Sequence, residues 1–398
     1  MTNLKSKIAQ LAKAGFEKSV AIRRHLHQHP ELSFEETQTG FFIASKLEEM
    51  GISCTHGIAG NGVVGLIEGK NPHSKTIALR ADIDALPIME ANNVPYRSKN
   101  DGVMHACGHD VHTASLLATA KILHELKDEF EGTIKLIFQP GEEKSPGGAS
   151  IMIKEGVLEN PTPELIIGQH VHPTLPSGKI GMRAGIFMAS ADELFMSIKG
   201  RGGHAAMPQD CIDPIAIAAQ ILVSLQQLVS RFADPTLPTV LSFGKIASEG
   251  GATNVIPAEV RIEGTFRTMN EAWRKDAHQK MKKLATGIAE SFGAACDCNI
   301  VCGYPVLHNN EELTQKVRAF VEEYLGVQNV ETLPIRMTAE DFAFYAQQIP
   351  GCFYRLGTGN LAKNITAPVH SPHFDIDEDS LLTAAGTMAY IAIRMLEK

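Results

Sequence analysis

The sequence predicts an α/β fold of two domains, in which a small domain is inserted into a larger one. The chain has 398 residues, more than a single hydrophobic core usually serves. Up to about residue 187, helical patterns alternate with short apolar strands, as in a sheet covered on both faces. From 187 to 303 the pattern changes to βαββαβ, and afterwards the α/β pattern returns.

The larger domain is expected at 1–186 and 304–398, as a mixed sheet flanked by helices. Its helices are predicted from apolar residues at helical spacing, and its strands from short apolar runs such as TIALRAD. The predicted helices are 4–28, 35–50, 110–127, 147–156, 311–325 and 378–396, and the predicted strands are 62–68, 76–82, 133–138, 164–169 and 352–356.

The inserted domain is expected at 187–303, with the ferredoxin-like βαββαβ order. Asp213 followed by Pro214, and Asn270, are typical helix starts. The predicted elements are strand 192–200, helix 213–231, strand 239–247, strand 257–267, helix 270–292 and strand 295–303.

Composition excludes several classes of function. The net charge of −8 argues against nucleic acid or an anionic membrane as a partner, because both favour a basic surface. The N-terminus lacks the apolar run of a signal peptide, and no stretch approaches the roughly 20 apolar residues that span a bilayer. Seven cysteines without a framework spacing indicate reduced thiols, so a cytoplasmic location is expected.

The segment MHACGHDVH at 104–112 predicts a metal site. It contains a thiol, imidazoles and a carboxylate, the ligand types that borderline divalent metals favour. Other residues of these types follow strand-like runs: Asp82 and Asp84, Glu142 and Glu143, His170 and His172, and His370 and His373. Because the carboxyl ends of strands in an α/β sheet meet at one edge, these residues can form a site for two metals.

Glu142 and Glu143 are adjacent and come directly after a strand and the turn Gln-Pro-Gly. Adjacent carboxylates can divide the work of a hydrolase, because one can hold a metal while the other takes a proton from water. Retention of both glutamates also speaks against a non-catalytic metal-binding protein, the rival interpretation from another functional class.

Seven motifs occur in an order that resembles a known family. They are ALRADIDALPI, MHACGHDVHTA, FQPGEE, GQHVHP, GRGGHAAMP, NVIPAEVRIEGTFR and HSPHF. The chain resembles, from about residue 20 to 395, the metal-dependent amidohydrolases that include hippurate hydrolases, N-acyl-amino-acid amidohydrolases and auxin-conjugate hydrolases. These are related to aminoacylase and glutamate carboxypeptidase. The resemblance implies a catalytic domain with a dinuclear metal site and a lid domain that often dimerises.

The resemblance also implies roles for individual residues. The metal ligands would be Cys107, His109, Glu143, His170 and His370, with Glu142 as general base, Asp84 orienting a ligand, His204 stabilising the oxyanion, and Asn254 and Arg267 binding the substrate carboxylate. The family ligands match His170 and His370, so His172 and His373 are expected to lie nearby. Asp82 stands where distant relatives have a histidine ligand, and His112 is left open between an orienting role and an ordinary helix position.

Two further clusters are interpreted as structural. His25, His27 and His29 alternate before a proline and match no ligand of the family, so we interpret them as solvated or capping histidines at a helix end. Cys296, Cys298 and Cys302 fall near one strand without a histidine beside them in sequence, so packing is favoured over a metal site.

The sequence is therefore interpreted as that of a two-metal amidohydrolase. Its expected substrate is a small N-acyl amino acid, and its expected cofactors are two divalent ions per subunit (zinc, manganese, nickel or cobalt). A homodimer or larger homo-oligomer formed through the lid is expected. The alternative is a carboxypeptidase or dipeptidase with the same two-metal site.

Overall fold

A computed structural model of the protein describes residues 2–248, 250 and 252–397, and the chain divides into two compact units. The larger unit is Met1–Phe187, His308–Pro334 and Asp341–Lys398, and the smaller is Met188–Leu307 and Ile335–Glu340. The domain ranges inferred from the sequence stay a prediction. They did not include 335–340 in the smaller domain.

Both units contain helices and strands. The helices are α1 (Thr2–Gln28), α2 (Thr37–Glu49), α3 (His109–Glu125), α4 (Gly148–Lys154), α5 (Pro214–Leu225), α6 (Glu271–Ser291), α7 (Glu311–Leu325), α8 (Ala343–Ala346) and α9 (Ser380–Leu396). The strands are β1 (Ser53–Ile58), β2 (Gly62–Glu68), β3 (Thr76–Asp82), β4 (Thr133–Gln139), β5 (Ile166–Pro176), β6 (Ile180–Met182), β7 (Gly185–Met188), β8 (Asp192–Lys199), β9 (Gly203–His204), β10 (Thr239–Ser248), β11 (Val255–Ile256), β12 (Glu259–Thr268), β13 (Ala295–Cys302), β14 (Leu307–Asn309), β15 (Val330–Thr332) and β16 (Gly351–Gly359).

The larger unit is built on an eight-stranded mixed sheet of order β1-β2-β4-β3-β5-β16-β6-β15. Its central strands β4, β3, β5 and β16 are parallel. Strands β1 and β2 pair antiparallel with their neighbours, whereas β6 is antiparallel to β16 and parallel to β15. Ile77 and Leu79 of β3 are buried in one core cluster with Leu117 of α3 and Met388 of α9. This arrangement confirms the predicted helix-flanked mixed sheet.

The smaller unit contains a four-stranded antiparallel sheet of order β10-β12-β8-β13. Helix α5 follows β8 and helix α6 follows β12, which confirms the ferredoxin-like βαββαβ order. Its own core joins Met196 and Ile262 of the sheet with Ile221 of α5 and Met281 of α6.

Strand β5 extends beyond its predicted end at residue 169. Its ladder with β16 continues through Arg355 opposite His170 and Gly357 opposite His172, to Gly359 opposite Pro176. His170 therefore lies inside a strand, whereas the sequence pattern predicts it directly after the strand's end. The predicted strand ends at residue 169, but tertiary pairing with β16 keeps the following residues extended.

One helical stretch, Pro214–Phe232, is long and apolar enough by length and composition to cross a membrane. Buried core helices of globular proteins can be equally long and apolar. Here Ile217, Ala218, Ile221 and Leu225 form a buried face within the core of the smaller unit. This stretch therefore serves as the apolar cover of a sheet.

Asp213 caps the N-terminus of α5, because its carboxylate accepts hydrogen bonds from the backbone N–H groups of Ile215 at 2.8 Å and Ala216 at 3.4 Å. Asp213→Ala is expected to lower the free energy of unfolding of the smaller unit by about 1 kcal/mol. Urea unfolding followed by circular dichroism measures the change. Asp210→Ala, at a nearby exposed position, is the control, and equal loss in both variants would contradict the capping role.

Candidate metal centre

Three parallel neighbouring strands bring the candidate site together. Strand β3 ends at Asp82, β4 ends at Gln139 shortly before Glu142, and His170 lies on β5. Since β3 pairs in parallel with both β4 and β5, the chain segments that leave these strands meet at one edge of the sheet.

The loop before α3 turns sharply at Gly108, which has a φ of 83°. A Cβ at this position would lie 2.6 Å from a methyl carbon of Val171, so a side chain would clash as well as strain the backbone. The turn ends at His109, the first residue of α3, and leaves Cys107 and His109 both buried beside β5.

The structure brings together the five residues that the resemblance implied as ligands. The Cys107 Sγ lies 3.3 Å from the His170 Nε2. The Glu143 Oε1 lies 3.2 Å from the His370 Nε2 and 3.9 Å from the His109 Nε2. Two groups have ligand atoms within 4.8 Å of one another, and they share the thiol: Cys107, His109 and His170, and Cys107, Glu143 and His370.

The histidine rings are oriented as ligands would be. The Nδ1–H of His170 donates to the Val171 carbonyl at 2.9 Å, so the lone pair of its Nε2 faces Cys107. His109 donates from Nδ1 to Asp84 Oδ1 at 3.0 Å. Its Nε2 is buried and has no hydrogen-bond partner among the described residues. A buried ring nitrogen without a partner is costly, and a metal ion bound to it would remove that cost, so these residues fit a divalent cation.

Asp84 holds the site together through three hydrogen bonds. Besides the His109 ring, its carboxylate accepts from the Ser33 hydroxyl at 2.7 Å and from the Glu143 backbone N–H at 2.9 Å. Burial alone would raise the pKa of Asp84, but the hydrogen bond from His109 and the other donors lower it. Asp84 therefore stays ionised and fixes both a ring and a backbone segment.

His112 lies behind the cluster and uses both ring nitrogens. Its Nδ1–H donates to Asp82 Oδ1 at 2.5 Å, and its Nε2 accepts from the Val171 backbone N–H at 2.9 Å. No lone pair remains for a metal. His112 therefore connects α3 to the strand that carries His170, which is the orienting arrangement rather than an ordinary helix position.

A buried charge network beneath the site was missed by the sequence analysis. Arg80 donates to Asp82 at 2.6 Å, to Asp341 at 2.7 Å and to the Gln139 side-chain oxygen at 2.9 Å. All four residues are buried. The available signal was a single arginine within the otherwise apolar run TIALRAD, because a buried arginine requires carboxylate partners.

The carboxylates around the cluster favour a cation. Burial lowers the pKa of His109, but Asp82 and Asp84 outweigh it and raise that pKa to about 10. Burial, followed by Glu143 and Glu142, raises the pKa of the Cys107 thiol well above its usual value. The protons on His109 and Cys107 balance the negative charge of the nearby carboxylates. A divalent cation could balance the same charge, and it would convert the thiol to thiolate.

His370 and Glu142 also lie beside the candidate ligand cluster. His370 has a φ of 63°, unusual for a residue other than glycine, and its backbone N–H donates to the Ala106 carbonyl at 2.8 Å. Glu142 is buried, and one of its carboxylate oxygens lies within 4.8 Å of ligand atoms of both His109 and Glu143.

His172 and His373 fall outside the potential ligand groups found among the described residues. The His172 Nε2 lies 3.1 Å from the Thr174 hydroxyl, and the His373 side chain is exposed.

Asp110 contacts α1, and His27 differs from the sequence-based interpretation. The carboxylate of Asp110 lies 2.8 Å from both the Arg23 Nε and the His27 Nδ1, so it binds α1 rather than the metal cluster. His27 is fully buried and also lies 3.3 Å from Glu90, so its interpretation as a solvated or capping histidine was wrong. The packing of α1 against α3 buries this group.

The remaining candidates lie on the smaller unit. His204 is exposed on β9, opposite Val255 of β11, and the carbonyl of Asn254 accepts from the backbone N–H of Ala205 at 3.0 Å. The Ala206 N–H donates to the His204 Nδ1 at 3.1 Å, which leaves the hydrogen of the neutral ring on Nε2. Arg267 of β12 is half-buried and donates to the Met337 carbonyl at 3.3 Å.

Comparison with known proteins agrees with these features. Residues 78–394 match the model of peptidase family M20/M25/M40. The chain is 45% identical over 293 residues to an N-acyl-L-amino acid amidohydrolase of Geobacillus stearothermophilus, covering 73% of this chain and 78% of that protein. It is 40% identical to thermostable carboxypeptidase 2 of Saccharolobus solfataricus, covering 95% of each.

A solved structure shares the fold at higher coverage. The Bacillus subtilis YXEP protein, described as a dinuclear metal binding peptidase from the M20 family, superposes with a TM-score of 0.81 and 37% identity. The match covers 96% of this chain and 99% of that one. These findings confirm the resemblance indicated by the motifs.

The Asp84→Asn variant tests whether the Asp84 carboxylate, which holds the His109 ring, supports metal binding. An amide is a weaker acceptor for the His109 N–H, so the ring should be held less firmly, and metal affinity should fall about 10–100-fold. Competition with a chelating dye measures the affinity. Asp101→Asn, at an exposed position, is the control, and an unchanged affinity in Asp84→Asn would refute the orienting role.

Proposed function

Because the chain belongs to peptidase family M20/M25/M40, we propose that it hydrolyses the amide bond of N-acyl amino acids, releasing a carboxylic acid and a free amino acid. The observation that carries the proposal is the pair of potential ligand groups that share Cys107, with the buried Glu142 beside them. Membership of the family makes the chain a hydrolase, and its substrate class is the proposal.

Cys107, His109, Glu143, His170 and His370 would hold two divalent cations, because they form two potential ligand groups that share Cys107. Such cations, when bound, polarise a carbonyl group and lower the pKa of water toward ~7. Thiolate and imidazole ligands suit zinc, nickel and cobalt, and manganese is tolerated with the carboxylate. Asp84 and His112 would keep the histidine-bearing segments in place.

Glu142 is proposed as the general base. It is buried within 4.8 Å of the ligand atoms of His109 and Glu143, so a water held at the cluster would lie within its reach. Glu142 would take a proton from this water as it attacks the amide carbonyl. It would then return the proton to the nitrogen of the leaving amine.

His204, Asn254 and Arg267 are proposed to contact the substrate. The Nε2–H of His204 can donate to the carbonyl oxygen as negative charge develops there, because Nδ1 is already occupied by the Ala206 N–H. Arg267 and Asn254 would bind the free α-carboxylate, since a guanidinium can meet a carboxylate with two parallel hydrogen bonds.

Self-association through the smaller unit is also proposed. Strand β10 is at the edge of its sheet, and within the described residues no further strand pairs with its outer side. Such an edge favours pairing with a second copy. A cytoplasmic location is proposed as well, since all seven cysteines are free thiols.

The second candidate is a carboxypeptidase, which is favoured by the similarity to the Saccharolobus enzyme. The two functions require the same chemistry and differ in the acyl side of the substrate. The metal-loaded enzyme should release amino acids from N-acetyl- and N-benzoyl-amino acids at least about 10-fold faster than from dipeptides with the same C-terminal residue. That ratio corresponds to roughly 1.4 kcal/mol of transition-state discrimination. Amine release is measured with matched substrate pairs, and the reverse order of rates would support the carboxypeptidase.

The two adjacent glutamates should fail in different ways. Glu142→Gln should retain both metals and lose roughly 10²–10⁴-fold in kcat, because a positioned general base is removed. Glu143→Gln should lose bound metal, because an amide is a poorer ligand than a carboxylate. Metal analysis and kcat are measured on each variant beside the exposed control Glu164→Gln. Metal loss in Glu142→Gln with full occupancy in Glu143→Gln would reverse the assigned roles.

Substrates without a free carboxylate should be cleaved poorly. An N-acyl amino-acid amide leaves Arg267 without its anionic partner, which should lower kcat/KM by roughly 30-fold or more, since such a loss costs about 2 kcal/mol or more. Arg267→Ala should narrow the gap between acid and amide substrates, whereas Arg261→Ala, at an exposed position of the same strand, should preserve it. Equal rates on acid and amide in the unaltered enzyme would exclude the carboxylate contact.

A further inference from the structure

Three side chains of the smaller unit form a cluster that the proposed hydrolysis does not use. Cys302 ends β13, and Asp192, its cross-strand partner, begins β8. Directly opposed residues of an antiparallel pair point to the same face of a sheet. His278 of α6 lies on that face, between the thiol and the carboxylate.

The geometry is that of a nucleophile, a base and a group that orients the base. The His278 Nε2 lies 2.7 Å from Asp192 Oδ2, and its Nδ1 lies 3.8 Å from the Cys302 Sγ. Because an ionised carboxylate can only accept, the ring hydrogen is on Nε2. The Nδ1 lone pair therefore faces the thiol and can take its proton.

Asp192 is held firmly in this position. It is buried, and Arg274 binds both of its oxygens, with an Nε–Oδ2 distance of 2.9 Å. The backbone N–H of Gly303 donates to Oδ1 at 3.1 Å. Arg274 also pairs with Glu271. Two carboxylates thus oppose one guanidinium beside the His278 ring.

Packing explains the neighbouring cysteines but not this one. Cys296 and Cys298 of the same strand pack against the core of the smaller unit, and burial raises their pKa to about 12 and about 11. All seven cysteines lie within the described residues, and of these Cys302 is the exposed one. An exposed thiol facing an oriented imidazole is the arrangement found in reactive cysteines.

We propose that Cys302 is a reactive thiol that undergoes exchange with low-molecular-weight disulfides. The Cys302 S–H gives its proton to the His278 Nδ1, and the thiolate attacks one sulfur of the disulfide. A new S–S bond to Cys302 forms as the S–S bond of the reagent breaks. The departing thiolate takes the proton from His278, so the products are a mixed disulfide at Cys302 and one free small thiol.

The test uses the full-length, metal-loaded enzyme and oxidised glutathione at neutral pH, with the modified peptides quantified by mass spectrometry. An ordinary cysteine with a pKa of about 8.5 is only a few per cent thiolate at this pH. Cys302 should react roughly 10-fold faster in the folded protein than in the same chain unfolded in urea, because only the folded chain places the His278 ring where it can take the proton of the thiol. A folded-state rate equal to or below the unfolded-state rate would overturn the proposal.

His278→Gln should reduce the rate at Cys302 to that of the unfolded chain. His308→Gln, at an exposed histidine, is the matched control and should react as the unaltered protein does. Protection of Cys296 and Cys298 from the reagent reports that the smaller unit remains folded. An unchanged rate at Cys302 in a protected His278→Gln protein would also overturn the proposal. If Cys296 and Cys298 lose their protection in His278→Gln, that variant is not folded. The proposal is then tested by the ratio of the folded to the unfolded rate at Cys302 in the unaltered chain.

Discussion

The candidate site depends on one carboxylate, that of Asp84. Its oxygens accept from the His109 ring, the Glu143 backbone and the Ser33 hydroxyl. Those three donors come from a helix N-terminus, from the loop after β4 and from the segment after α1, which are far apart in the chain. A change of geometry at Asp84 would therefore move a ring and the Glu142–Glu143 loop together, so the two halves of the ligand cluster are not positioned independently.

Burial makes this dependence strict. Arg80, Asp82 and Asp341 have essentially no access to water, and buried ionic groups are retained only when each is paired. The pairs leave an excess of negative charge on the side of the candidate ligand cluster, where Asp82 and Asp84 outweigh burial and raise the pKa of His109. The same network therefore orients the candidate ligands and attracts cations. Removal of one of its members would leave a buried charge unpaired.

Local sequence was informative where local forces decide the structure. Strand β3 begins and ends as predicted, at 76–82, because its apolar run is buried along its whole length. The residues gathered around Cys107 could be anticipated because ligand chemistry and strand ends gave a list of candidates, from which the family resemblance selected five. The partner of Asp110, the burial of His27 and the length of β5 could not, since each follows from packing between segments distant in sequence. His278 lies 24 residues from Cys302, and no local pattern pairs a helix residue with a strand end.

The smaller unit is formed by two separate stretches of chain, 188–307 and 335–340. The chain passes between the units at 187/188, 307/308, 334/335 and 340/341, so the inserted region is not a single continuous piece. The backbone N–H of Ala189 donates to the carbonyls of Arg336 and Thr338, both at 3.1 Å. A fragment cut at residue 307 would leave that donor unsatisfied and would lack the carbonyl of Met337 that binds Arg267. Recombination that exchanged only 188–307 with a relative would thus separate two stretches that fold as one body, and such exchanges should be tolerated only when both stretches come from the same parent.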